Sequence, residues 1–189
     1  MSTFKTSWII IKKNIIKDKE SSVIIFTKDY GKIVSLYKNN KKEKQIDVWN
    51  IINFEITTKT KNINTLKNIL ILNQLNYNNY NYNIILEYLN IINIIFKLIP
   101  LNQAIFWVYD IVYEINKYTN ISEEKLLLAQ IKLLSILWYI KEENKSLIIK
   151  KILNFIQTNN IKEILKLKWL DENSLNKLKE IVINTINNK

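Results

Sequence analysis

In the first 75 positions the apolar residues fall into short blocks. TSWIIIKKNII, SSVIIFTK, GKIVSLYK, DVWNIINFEITTK and NTLKNILILNQL are each rich in β-branched and aromatic residues. The polar clusters KDKE, KDYG, NNKKEKQ and KTKNI separate them. Blocks of this length and composition, bounded by turn-forming residues, predict strands. Within Gly31–Lys38, Ile33, Ser35 and Tyr37 alternate with Val34, Leu36 and Lys38, which leaves one face greasier than the other. Five short strands with tight links predict a small closed barrel.

From about Asn79 the period changes. Ile84, Ile85, Tyr88, Leu89, Ile91, Ile92, Ile95 and Phe96 recur at helical spacing, and Pro100 closes that helix. A second helix is expected over about Asn102–Lys117. A third begins near Ser122, with Glu123 and Glu124 at the positive end of its dipole, and runs through KLLLAQIKLLSILWYI. Further helices are expected over about Ser146–Gln157, IKEILKL and Ser174–Ile186. A single switch from strand to helix defines an α+β chain in two parts, a barrel over 1–75 and a helical domain over 76–189. NYNNYNY, residues 76–82, reads equally as the connection or as the lead-in to the first helix.

The only glycine, Gly31, lies between SSVIIFT and IVSLYK, where a hairpin loop needs a residue at positive φ. Trp8 and Phe26 lie in apolar strand blocks and are expected in the core. Trp107, Trp138 and Trp169 lie in helical patterns and are assigned to the core as well.

Composition adds a charge argument. The chain carries 28 lysines, no arginine, 17 acidic residues and a net charge of +11. Lysine in place of arginine, with abundant isoleucine and asparagine, is what A/T-rich codons favour. That bias does not explain lysine in excess of acid. Residues 1–75 hold 14 lysines against six acidic residues, whereas residues 76–189 hold 14 against 11. A basic N-terminal half points to a polyanionic partner.

With no cysteine and no histidine, disulfides, Cys/His zinc sites, Ser–His–Asp triads and Cys–His nucleophiles are excluded. One glycine cannot build a phosphate-cradling loop. The acidic pairs Glu123/Glu124, Glu142/Glu143 and Asp171/Glu172 fall at helix ends, where solvated caps are expected. No catalytic constellation, cofactor site or metal site emerges, and a non-enzyme is expected. WIII is too short for a signal-peptide core, and the longest apolar run, 84–99, is broken by Glu87, Asn90, Asn93 and Lys97. A cytoplasmic protein without membrane attachment is expected.

The remaining chemistry is basic and aromatic. Lys12 and Lys13 follow WIII, Lys28 and Lys32 flank the hairpin turn, and Lys38, Lys41, Lys42 and Lys44 cluster beside Tyr37. Lysines neutralise phosphate and an aromatic face stacks an unpaired base, so this set fits single-stranded nucleic acid on a small barrel. The competing readings are an RNA- or tRNA-binding barrel and a helical scaffold whose charge is codon bias.

The order of these features resembles RecO, the bacterial recombination mediator. The matching phrases are WIIIKKN, IIFTKDYGKIV and SLYKNNKK in the first part. In the second they are IINIIFKLIPLNQAIFWVYDIVYEI, LAQIKLLSILWYI and ILKLKWLDENSLNKLKEIVINTI. Gly31 stands where that family keeps its hairpin glycine. The resemblance implies an OB-type barrel packed on a helical domain, binding of single- and double-stranded DNA without sequence reading, and strand annealing. It also implies loading of the recombinase onto strands coated by single-strand-binding protein. The implied partners are the RecR protein and the acidic tail of the single-strand-binding protein, with a place at the nucleoid. The chain departs from the family in lacking the four-cysteine zinc module, with a plain segment between Tyr139 and Ser146 instead, and in following Lys38 with Asn39 in place of glycine.

Overall fold

The structure is a computed structural model that describes residues 2–38, 45–58, 64–75, 79–118, 120–140, 146–168 and 170–187. Five strands come first: β1 (Ser2–Lys17), β2 (Glu20–Thr27), β3 (Gly31–Lys38), β4 (Ile51–Thr58) and β5 (Asn64–Asn73). They close a barrel in the order β1-β2-β3-β5-β4. This is an OB-like arrangement, and the α+β class is as the hydrophobic pattern predicts. β1 serves both sides of the barrel. Its first half, Ser2–Ile9, pairs with β4, and its second half, from Trp8 to Lys17, pairs with β2. A register shift between Ile10 and Lys12 marks the bend that lets one strand do both. The closing contact is a single parallel pair, Leu36 with Thr65.

The alternation seen in the sequence decides which residues fill the barrel. Ile10, Val23, Ile25, Ile33, Tyr37, Ile52, Phe54, Ile56 and Leu66 form its core, together with Ile46 from the β3–β4 connection. Trp8 and Phe26 are buried with ring centroids 5.4 Å apart, as the strand pattern predicts. β4 starts four residues later than the apolar block DVWNIINFEITTK implies. Asp47–Asn50 folds into a turn in which Asn50 N–H donates to the Asp47 carbonyl and the Asn50 side-chain oxygen accepts from Asp47 N–H. Trp49 sits in that turn at φ +67°, buried at 2% exposure.

Two compact units divide the chain. The first comprises 1–77 and 99–106, the second 78–98 and 107–189. The segment 99–106, which the periodicity runs into the helical domain, therefore belongs to the barrel unit. It lies along the start of β3: Leu101 bridges Lys32, and Asn102 N–H donates to the Lys32 carbonyl at 2.9 Å. Gly31 adopts φ +68°. A Cβ there would lie 2.1 Å from the Gln103 carbonyl oxygen and 2.6 Å from the Ala104 nitrogen. Glycine serves both the turn and a close backbone approach that the sequence does not reveal.

The described residues of the second unit form α1 (Tyr82–Leu98), α2 (Phe106–Ile115, entering the unit at Trp107), α3 (Glu123–Ile136), α4 (Leu147–Thr158), α5 (Ile161–Ile164) and α6 (Glu172–Asn187). α2 begins later than the expected Asn102 because 99–106 is engaged with β3. α3 is the axis, apolar around most of its circumference and packed against α1, α4, α5 and α6. Its one buried polar side chain, Gln130, donates to the Glu87 carbonyl and carboxylate on α1. Ser122, Ser146 and Asn160 accept from backbone N–H groups as helix caps, and Asp171 accepts from both the backbone and the hydroxyl of Ser174.

α3 ends in a Schellman motif: Tyr139 N–H donates to the Leu134 carbonyl and Trp138 N–H to the Ser135 carbonyl. Trp138 takes the left-handed position at φ +61°, which glycine or asparagine adopts freely and which costs a bulky residue about 1–2 kcal/mol. Trp138 is 92% exposed and Trp107 65% exposed, so neither is a core residue. Helical periodicity placed both in the core because it cannot register where a helix ends or which face stays open. Trp169 lies outside the described residues. No described helix is long and apolar enough to cross a membrane.

Candidate nucleic-acid interface

The β1–β2 hairpin and the end of β3 carry several lysines; Lys5 and Lys67 are exposed elsewhere on the barrel. Beyond Ile10 the two strands of the hairpin stay paired to Lys17 and Glu20. Lys12 pairs with Ile24, which pairs with Val34 on β3, while the flanking Val23, Ile25 and Ile33 point into the core. Lys12 therefore stands on the outer face, half-buried at its stem. At the tip, Ile15, Ile16, Lys17, Asp18 and Lys19 are all exposed. Glu20 faces Lys38 across the β2–β3 ladder, and their side chains form a 2.9 Å ion pair.

The Lys38 hydrogen bond, then its charge, then Lys17, hold the Glu20 carboxyl below its ordinary value. A depressed folded-state pKa contributes stability above the unfolded carboxylate value of about 4.3, and that contribution is lost as the pH falls through the folded value. Lys38 is thus engaged by a carboxylate where it stands. Glu20→Gln releases it, and the expected outcome is tighter, more salt-sensitive DNA binding, by about fivefold for one additional phosphate contact at moderate salt. A titration showing weaker binding by this variant would count against a DNA contact at Lys38.

The predicted lysines do not form one face. Lys28 and Lys32 lie at the far end of β2 and β3, about 20 Å or more along the strand from Lys38. Lys28 stands 5.0 Å over the Phe106 ring. Lys32 is only 7% exposed, and burial pulls its pKa down, which fits packing beneath the segment 99–106 better than reaching a phosphate. Tyr37 is corrected as well. It is 2% exposed inside the barrel core, because its place in the β3 alternation is the inward one, so no base can stack on it.

Lys13 is part-buried and donates to the Ile46 carbonyl at 2.8 Å, tying Ile46 to β1. Lys13→Met is expected to cost about 1.5–3 kcal/mol of barrel stability, the range for a hydrogen bond to a charged group, in a denaturant titration. The slope of DNA affinity against salt should stay unchanged in that variant, and a flattened slope would return Lys13 to the binding face. Lys41, Lys42 and Lys44 lie outside the described residues; the chain leaves for them from Lys38, at the hairpin end.

Two lysines here escaped the sequence reading. Lys17 and Lys19 belong to the cluster KDKE, which reads as a separator between strands. Only the long pairing of β1 with β2 shows that the cluster is the exposed tip of a hairpin. The tip carries exposed isoleucine but no exposed aromatic among its described residues. Its chemistry is charge neutralisation with an apolar edge, without a stacking platform. Among the described residues there is also no group of three acidic side chains placed to hold a metal ion.

The fold and this lysine-bearing end define a class: an OB-like barrel with a basic β1–β2 hairpin, followed by a helical unit. Comparison with known proteins takes the assignment no further, since no family model and no curated protein matches the chain.

Proposed function

We propose that this chain is a non-catalytic DNA-binding protein that binds and anneals single-stranded DNA and also contacts duplex DNA. In this reading it acts as a mediator of the RecO kind, helping to load the recombinase onto strands coated by single-strand-binding protein. The observation that carries the binding step is the group Lys17, Lys19 and Lys38 at the hairpin end of an OB-like barrel, with Lys12 on the outer face about 13 Å back along the strands, where the β1–β2 loop is a usual nucleic-acid contact of such folds. Annealing, loading, the RecR protein, the acidic tail of the single-strand-binding protein and the nucleoid location rest on the sequence resemblance. The lack of histidine and cysteine supports the absence of catalysis.

The test is anisotropy of labelled single-stranded DNA and RNA of equal length, titrated with the protein at several salt concentrations. A log–log slope near −0.7 per neutralised phosphate, summing to several contacts and at least as tight for DNA as for RNA, is the expected result. Clear preference for RNA would move the barrel to an RNA-binding role. An absence of binding at low salt would leave the lysine excess to codon bias.

A further inference from the structure

Two tryptophans of the helical unit line one cleft of about 620 Å³, walled by α2, α3 and the α4–α5 connection. Trp138 is almost wholly exposed, and its backbone is held in the left-handed conformation. The chain uses asparagine freely in its turns, and asparagine would relax this one. An indole here is neither a core residue nor a relaxed cap, so the fold does not account for it.

The rest of the lining says what the cleft suits. Asp110 and Lys132 bring opposite charges, leaving the lining net neutral. The Lys132 ammonium is committed to the end of α4, donating to the Ile156 carbonyl at 2.8 Å and the Gln157 carbonyl at 2.9 Å. A carboxylate-rich peptide would meet Asp110 and only the remaining proton of a half-buried lysine. Ser135 and Gln157 add neutral hydrogen-bonding groups. Aromatic walls, side-chain amides and balanced charge suit a flat, polar, uncharged heterocycle.

We propose that this cleft takes an unpaired base of a single-stranded nucleic acid, stacked on Trp138 with Trp107 as a further wall. The proposal rests on the DNA-binding reading above and supplies what the described hairpin end lacks, a stacking platform. Base–aromatic stacking is insensitive to sequence and largely non-ionic, whereas the hairpin lysines act through phosphate charge.

Intrinsic fluorescence of the full chain, titrated with a short oligo-deoxycytidine, tests it. Trp8 and Trp49 are 2% exposed and report little, and the difference between the parent and a Trp138 variant isolates the share of the quench that Trp138 carries. Trp138→Asn suits the left-handed backbone and is expected to fold at least as stably as the parent. It should bind about tenfold more weakly, with most of the quench lost and the salt slope unchanged. Trp138→Phe, which keeps a ring under the same backbone constraint, should bind within about threefold of the parent. Unchanged affinity and quench in Trp138→Asn, or equal weakening in both variants, overturns the base site while leaving DNA binding intact. A parent protein that binds no strand at low salt overturns the DNA-binding reading itself, and the base site with it.

Discussion

Gly31→Ala lowers the stability of the barrel unit by about 3 kcal/mol, among the larger losses a single substitution causes. Two separate effects combine in that figure. Holding alanine at φ +68° accounts for about 1–2 kcal/mol. The remainder comes from the new Cβ, which would lie 2.1 Å from the Gln103 carbonyl oxygen and force the segment 99–106 away from β3. The displaced backbone carries the hydrogen bond from Asn102 N–H to the Lys32 carbonyl, so that contact weakens too. Gly31→Asn separates the two effects, because asparagine tolerates the left-handed region but still carries a Cβ. Denaturant unfolding of both variants decides between them. Equal losses place the cost in the clash, and a much smaller loss for asparagine places it in the turn. Full stability in Gly31→Ala would mean that 99–106 does not lie against this hairpin.

The second large effect concerns the hairpin end. Replacing Lys12, Lys17 and Lys19 together by glutamine is expected to weaken single-stranded DNA binding by about 100-fold at 0.1 M salt and to flatten the log–log slope by about 2, at about 0.7 per lost phosphate contact. Lys17 and Lys19 are exposed and Lys12 is half-buried, so the unfolding midpoint should move little. The same triple substitution at Lys41, Lys42 and Lys44 has an effect of the same sign if that segment continues the face. An unchanged slope in the Lys12/Lys17/Lys19 variant, with binding otherwise intact, would falsify the hairpin as the binding face. Lys28 provides an internal control: it lies at the other end of β2, and Lys28→Gln should leave the slope as it was.

Much of the barrel was legible because a strand that is buried on one face writes its environment into alternate residues. The two alternating sets of β3 were visible in the sequence, but only the structure shows that Ile33, Ser35 and Tyr37 are the inward one. The same pattern, read for chemistry, misled at Tyr37. A tyrosine beside lysines looks like a stacking residue until register shows which way it points. Lys13 and Lys32 are less open than their charge suggests, for a related reason. Their charge marks them as surface residues, yet a long alkyl stem lets each be packed against the barrel.

In the helical half, periodicity located all six described helices but not the end of α3, because the Schellman turn there has tryptophan where glycine or asparagine is usual. The exposed Trp138 was therefore read as core. The return of 99–106 to the barrel left no local mark except Gly31, whose partner lies some 70 residues further along the chain.

The sequence by itself determined the α+β class, the five strands and the switch to helices, the exclusion of cysteine and histidine chemistry, and the excess positive charge of the first 75 residues. Those are properties of composition and local period, and local period needs no knowledge of what lies opposite. Only the tertiary structure decided which lysines are usable, since that depends on pairing register and on ion pairs such as Lys38 with Glu20. It likewise decided why Gly31 must be glycine and that Trp107 and Trp138 open onto a cleft. Each of these is a contact between residues distant in the chain, or the want of one, and a one-dimensional pattern carries no term for it.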